Sequence, residues 1–294
     1  MNRRLRFWIG IFAGNLVACG CQQGTKPTTV PSTMDTGPLQ MTITAQAQPS
    51  ENPRDPQPQI NAMVHLDIYL LDMPAGSVST NSDFWKRVDE DAVGTANEDR
   101  QKRNGIRCGI VPRSQSLYFS QFFDHQPHQA RRSTVDGLQT QTIELEMDKQ
   151  FDQQDLFFFN ADNQLEGRSY DNGTNQLALT FGPTPRDPGA VRVTVCPVVR
   201  SEKTQMRFTP LNQEYRTPFQ DVDRIYDLGL TADIPGDSFM IIAPGGDSSR
   251  QSSIGGRFFI KLEKTEKLEQ VIVIVPTFLR LDGKPMLVRE RFLK

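Results

Sequence analysis

Four cysteines and three histidines are the side chains of this 294-residue chain with the most chemistry to offer. Cys19 closes the run Leu16-Val17-Ala18-Cys19, directly after the small Ala18. A cysteine suits such a position because its thiolate is the best side-chain nucleophile at mild pH. Cys21 competes with it, but follows Cys19 and Gly20 and lacks a leucine at the matching offset. Cys108 and Cys196 lie in stretches that read as strands. They either bridge in an oxidising compartment or stay as two separate buried thiols, since sequence alone does not show proximity. Asp124, His125 and His128 have the side chains of a metal site, yet Pro127 lies among them and no helix face aligns them. A solvated loop explains them better, and no metal is expected; the remaining histidine, His65, is distant in sequence.

Other constellations fail on spacing. Asp162, Gln164, Glu166 and Gly167 resemble the start of a calcium loop, but Gly173 stands where the twelfth-position glutamate should be, so a polar turn between strands is expected. Asp221, Asp223 and Asp227 read as an exposed acidic edge. Gly245-Gly246-Asp247-Ser248-Ser249 and Gly255-Gly256 invite a phosphate-loop reading, without the lysine or the helix pattern that such a loop requires. There is no nucleophile elbow and no metalloprotease helix. A glycosidase needs only two carboxylates, and nothing here selects a pair. The residues predict no catalytic site and no cofactor.

The elements that would position these groups are legible in outline. Arg3, Arg4 and Arg6 precede an apolar run, Phe7 to Val17, which is the build of a secretory signal. The run falls short of the roughly 20 residues that cross a bilayer as a helix. From Gly24 to Gln59 the composition is Pro, Thr, Gln and Ser, too poor in large apolar residues to offset its ordering entropy, and reads as a disordered tether. Order is expected from Asn61. Val64, Leu66, Ile68 and Leu70 alternate with His65, Asp67 and Tyr69, the period of a strand with one buried face. Ser82 is placed to cap a short helix, Thr95-Ala96-Asn97-Glu98 reads as a capping box, and Asn104-Gly105 ends the second helix. Ile106, Cys108 and Ile110 form a second strand, and a third helix after Ser114 carries Leu117, Tyr118, Phe119, Phe122 and Phe123.

After Asp136-Gly137 the pattern turns to strands. Ile143 to Met147, Leu177 to Phe181 and Val191 to Val195 alternate, while Phe239 to Ile242 and Val271 to Val275 read as fully buried. Asn172-Gly173, Asp187-Pro188-Gly189, Pro235-Gly236-Asp237 and Asp282-Gly283 are turn signals. The expected fold class is α+β: a small β-α-β-α unit, then a mainly antiparallel β domain. The expected divisions are 1–18 signal, 19–60 tether, 61–134 α/β unit and 135–294 β domain.

The run Leu16-Val17-Ala18-Cys19 resembles the lipobox of bacterial lipoproteins. The resemblance implies cleavage before Cys19, diacylglycerol on its sulfur and usually acylation, such as palmitate, of the new amino terminus. At roughly 0.8 kcal/mol per buried CH₂, two or three chains hold a protein at a membrane almost permanently. Gly20, following the lipid cysteine, favours the outer membrane by analogy with lipoprotein sorting. The formal net charge is -2, and loss of Met1–Ala18, with three arginines and no acid, takes it to -2 - 3 = -5. Nucleic acid is therefore not an expected partner.

Three later segments are similar, in order, to the C-terminal domain of secretins, ring-forming outer-membrane gates. They are Leu177–Val195, Phe239–Ile242 running into Gly245-Gly246, and Ile254-Gly255-Gly256-Arg257-Phe258-Phe259 followed by a charged hairpin and Val271–Pro276. Ala243-Pro244 departs from the pattern, and the usual N-terminal ring-building modules are absent. The resemblance implies a secretin-like β domain. The expectation is a non-catalytic, lipid-anchored periplasmic-facing component of a larger envelope assembly or homo-oligomer. Alternatives are a solute- or glycan-binding lipoprotein, with Trp85 or Tyr118 lining a pocket, and a cell-wall or polysaccharide hydrolase.

Overall fold

A computed structural model describes residues 62–280, short of 126–128, 138–139, 185–186, 188 and 209–213. The chain runs β1 (Ala62–Pro74), α1 (Ser82–Trp85), α2 (Thr95–Arg103), β2 (Ile106–Pro112), α3 (Ser116–Asp124), β3 (Gln129–Gly137), β4 (Gln141–Phe159) and β5 (Leu165–Pro183). It continues through β6 (Ala190–Phe208), β7 (Glu214–Arg224), β8 (Leu230–Pro235), β9 (Ser238–Pro244), α4 (Ile254–Phe259), β10 (Ile260–Glu263) and β11 (Glu266–Arg280). Every pairing between these strands is antiparallel, so the mainly antiparallel β character expected from the alternating segments is present.

Sheet I runs β2-β9-β11-β1-β3, with β10 also paired to β11. Sheet II runs β4-β5-β6-β7, and β8 pairs with the first residues of β6 where β7 does not reach. Period-2 alternation then assigns the faces. Val64, Leu66 and Ile68 of β1 and Ile272 and Ile274 of β11 pack with Leu177, Leu179, Val191 and Val193 of sheet II. The opposite face of sheet I carries Tyr69, Leu71, Val271, Val273, Phe239 and Ile241, and the helices α1 and α3 cover it with Phe84, Trp85, Phe119 and Phe123. Residues four apart on α3 share a helix face, which brings Phe119 and Phe123 down together. Sheet I is thus buried on both faces, which is why β9 and β11 read as unbroken apolar runs.

Several expectations need correction. The stretch 61–134 does not close on itself: β1 pairs with β11 and β3, and β2 pairs with β9, so its strands share a sheet with the last strands of the chain. Nor does β1 bury one face only. His65 and Asp67, on its polar alternation, are also buried, and β3 satisfies them: Asp136 bonds His65, while Arg132 and Thr134 donate to Asp67 at 2.7 and 2.9 Å. Asn81, one residue before Ser82, caps α1 by accepting from the Phe84 N–H at 3.0 Å. No side chain caps α2; Glu98 is drawn to Lys102, one turn further on. A 3-10 turn over Arg113–Gln115 precedes α3, so Gln115 and not Ser114 stands at its N-cap. Asn172-Gly173 is no hairpin turn but an irregularity within β5, where Asn172 has φ +43° and a Cβ on Gly173 would lie 2.2 Å from the Arg200 carbonyl oxygen. The signals at Asp187–Gly189 and Pro235–Asp237 do join strands, β5 to β6 and β8 to β9. Asp282-Gly283 lies outside the described residues.

Phe84 joins the helical layer to sheet I, with its ring centroid 5.0 Å from that of Phe119 and 5.3 Å from that of Trp85. Phe84→Ala is expected to lower stability by about 3–5 kcal/mol, the cost of an aromatic-sized cavity. Leu117→Ala, at a side chain that is 67% exposed, should change it by no more than about 0.5 kcal/mol. Urea unfolding of the two variants checks the contrast.

Candidate functional site

The residues that sequence singled out do not converge. Cys19 and the lipobox lie outside the described residues, as does His128. His125 sits at the end of α3, its Nδ1 2.5 Å from the Gln121 carbonyl, far along the chain from His65 within sheet I. Among the described residues no group of three or more histidine, cysteine, aspartate or glutamate side chains could hold a metal. The calcium-like stretch forms the turn between β4 and β5, in which the Asn160 side chain accepts from the Asp162 and Gln164 N–H groups at 3.1 and 2.9 Å. Asp223 is no open carboxylate either: Arg168 and Tyr170 donate to it at 3.0 and 2.6 Å. Burial first, then this carboxylate, pushes the Tyr170 hydroxyl above its usual range. Trp85, the last residue of α1, is buried and donates its indole N–H to the Val78 carbonyl at 2.8 Å.

Cys108 and Cys196 are separate buried thiols, and the bridge between them is not formed. Cys108 lies on β2 in the core between the sheets. Val191, Val193 and Val195 point from β6 into that core, so alternation turns Cys196 to the other face of sheet II, beside Ala178 and Val198. Burial raises the Cys108 thiol to about 12, with Glu90 and Glu98 adding to the effect, and raises Cys196 to about 11.

The Gly255-Gly256 pair serves packing. A Cβ on Gly255 would lie 1.9 Å from the Gly105 carbonyl oxygen, and one on Gly256 2.3 Å from that of Arg250. The backbone of α4 presses on the turn after α2, where Gly255 N–H donates to the Asn104 carbonyl at 2.8 Å. No phosphate is needed to explain these glycines.

What α4 and its approach do shape is a cavity of about 610 Å³ at one end of sheet I. Its walls come from the loop after β1 (Gly76, Ser79), the middle of β4 and β5 (Phe151, Gln154, Asn175), α4 (Arg257) and the β10–β11 hairpin (Leu262, Lys267, Glu269). Glu269 is 2% exposed, yet its carboxylate is fully engaged. It accepts from the Gly76, Val78 and Ser79 N–H groups at 2.5, 3.0 and 3.0 Å and from the Ser79 hydroxyl. On the opposite wall Gln154 and Asn175, both buried, exchange reciprocal bonds of 2.7 and 3.1 Å, and Asn175 donates a further bond to the Arg257 carbonyl at 3.2 Å. Arg257 is half-buried, and its Nε has no hydrogen-bond partner. Sequence reasoning missed this set because its members come from four separated stretches, none with a spacing of its own; Arg257 showed only as part of a glycine-containing segment.

No protein-family model, curated protein or solved structure matches the chain. The site therefore has to be read from its own geometry.

Two outcomes follow. Glu269→Ala removes the acceptor of three backbone N–H groups and should destabilise the fold by about 3 kcal/mol, as charge-assisted bonds to buried groups cost when broken. Thermal and urea unfolding check it. Raised thiols carry little thiolate at pH 8, so iodoacetamide should leave Cys108 and Cys196 unmodified in the folded chain and alkylate both after unreduced unfolding. Peptide mass spectrometry reads each site, and a bridge would show as failure to alkylate in the unfolded, unreduced sample.

Proposed function

We propose that the protein is a lipid-anchored envelope component, held through Cys19 at the periplasmic face of the outer membrane, that works by binding rather than by catalysis. The observation that carries this reading is the position of the cavity along β1. The described chain enters sheet I at Ala62, opposite Arg280, and leaves β1 at Pro74, opposite Leu268, where the cavity begins. Thirteen residues of strand at about 3.3 Å each put roughly 40 Å between the two points. A module tethered at its Ala62 end would thus present the cavity away from its anchor. The carboxylates nearest the cavity are engaged with the protein itself, which favours recognition over proton transfer.

A part in a larger secretion- or pilus-like assembly belongs to the same proposal, as does the secretin-like order of segments. Its support is that β5 and β6 are joined as antiparallel neighbours and that β10 and the start of β11 form a charged hairpin, while Ile254–Phe259 is helical. The small α/β unit enters this reading as the stretch that supplies the helical cover of sheet I. The cavity itself favours the second reading, a lipoprotein that binds a small solute.

Cys19→Ser should move the protein from the membrane fraction to the soluble fraction and abolish incorporation of a palmitate analogue. Wild-type protein that takes up no lipid would overturn the anchor. Light scattering of the full chain in detergent separates the other two parts: a ring-sized oligomer supports the secretin-like assembly, and a strict monomer rejects it in favour of solute binding.

A further inference from the structure

We propose that the cavity at the end of β1 binds a small carboxylate-bearing ligand with an apolar group, and that Arg257 is its anion contact. The proposal deepens the binding reading above and does not depend on the lipid anchor.

Charge is the first argument. Three charged side chains line the cavity: Arg257, Lys267 and Glu269. Glu269 turns both oxygens to the loop after β1, where three N–H groups and the Ser79 hydroxyl neutralise it. Neither Arg257 nor Lys267 forms an ion pair among the described residues. The cavity therefore offers two cations and no unoccupied anion. The second argument is an unmet bond. The Arg257 Nε is shut off from solvent and donates to nothing, so no protein oxygen holds the guanidinium at that nitrogen. A guanidinium edge is matched in shape by a carboxylate, which accepts two parallel N–H bonds.

The third argument is preorganisation. Arg257 does not hang from a loop: its N–H donates to the Ser253 carbonyl at 2.9 Å, and its own carbonyl accepts from Asn175, which Gln154 locks in turn. Fixing the backbone at both peptide groups lowers the ordering cost of binding. The fourth is the non-polar wall. Phe151, Ile260 and Leu262 line the cavity, and Leu262 is 68% exposed, a large apolar side chain with no core to enter. A volume of about 610 Å³ falls in the range that accepts small molecules.

The test uses the full chain purified in detergent, titrated calorimetrically with N-acetyl-phenylalanine, its uncharged amide and inorganic phosphate. The acid is expected to bind saturably, at least tenfold more tightly than the amide or phosphate. Arg257→Gln should weaken the acid at least tenfold without tightening the amide, and Lys267→Gln, at an exposed position, about threefold. A thermal melt of each variant shows that it is folded; should Arg257→Gln fail there, Leu262→Ser on the exposed wall takes its place and should also weaken the acid. Equal binding of acid and amide, tighter binding of phosphate, affinity indifferent to these substitutions, or no saturable binding would each overturn the proposal. Because Cys19→Ser leaves the cavity intact, failure here and failure of the anchor are read separately.

Discussion

The ladder between β1 and β11 is the constraint on which the rest of the structure depends. It joins the first and last described strands through an unbroken register, from Ala62 opposite Arg280 to Pro74 opposite Leu268. Closing a loop of some two hundred residues costs little more entropy than closing a shorter one, since the cost rises only with the logarithm of length. The ladder then creates a surface that cannot stand alone. Val271, Ile272, Val273 and Ile274 are all fully buried, so both faces of sheet I must be covered. Sheet II covers one face and α1 and α3 the other, and each large side chain removed from water on either face stabilises by roughly 1.5–3 kcal/mol.

That dependence explains which parts of the fold were legible in the sequence. Strand β11 was visible because an apolar run carries its burial in its own composition, and β6 because Val191, Val193 and Val195 alternate strictly. Their partners were not, since pairing is settled by covering two faces at once and leaves no local trace. Hence the N-terminal elements looked like a unit, although β1 finds its neighbours in β3 and β11. Asn172-Gly173 shows the same limit at shorter range. The pair serves a turn and an in-strand irregularity equally well, and here the neighbouring Arg200 carbonyl, against Gly173, decides for the second. Thr95 to Glu98 fits a capping box in sequence, but the helix takes Gly94 as its N-cap and Glu98 pairs with Lys102 one turn on.

The candidate site was less legible still, and for a chemical reason. Catalytic and metal sites leave patterns because the chemistry fixes residue types, while a binding cavity is specified by shape and by which polar groups stay unsatisfied. Glu269 would pass in sequence for one more acidic residue in a charged hairpin. Only the fold shows that it ties the loop after β1 to β11 and so removes itself from the cavity's charge balance. The glycines are the converse case: a phosphate-loop reading fails on spacing in the sequence, and in the fold the group that approaches Gly255 is the Gly105 backbone.

Edge chemistry bears on how such a body would meet other proteins. Among the described strands the outer ones are β2 and β3 in sheet I and β4 and β7 in sheet II. An uncovered edge invites strand addition unless charge or irregularity blocks it. Strand β3 carries Arg131, Arg132 and Asp136, and β4 carries Glu144 and Glu146 before a register shift between Glu146 and Gln150. The β3 and β4 edges are therefore poor templates for adding a further strand. At the cavity end, β1 is paired on both sides as far as Asp72. That pairing fixes the cavity and Ala62 at opposite ends of β1, so under the proposed binding role the surface for recognition is the pole beyond Pro74.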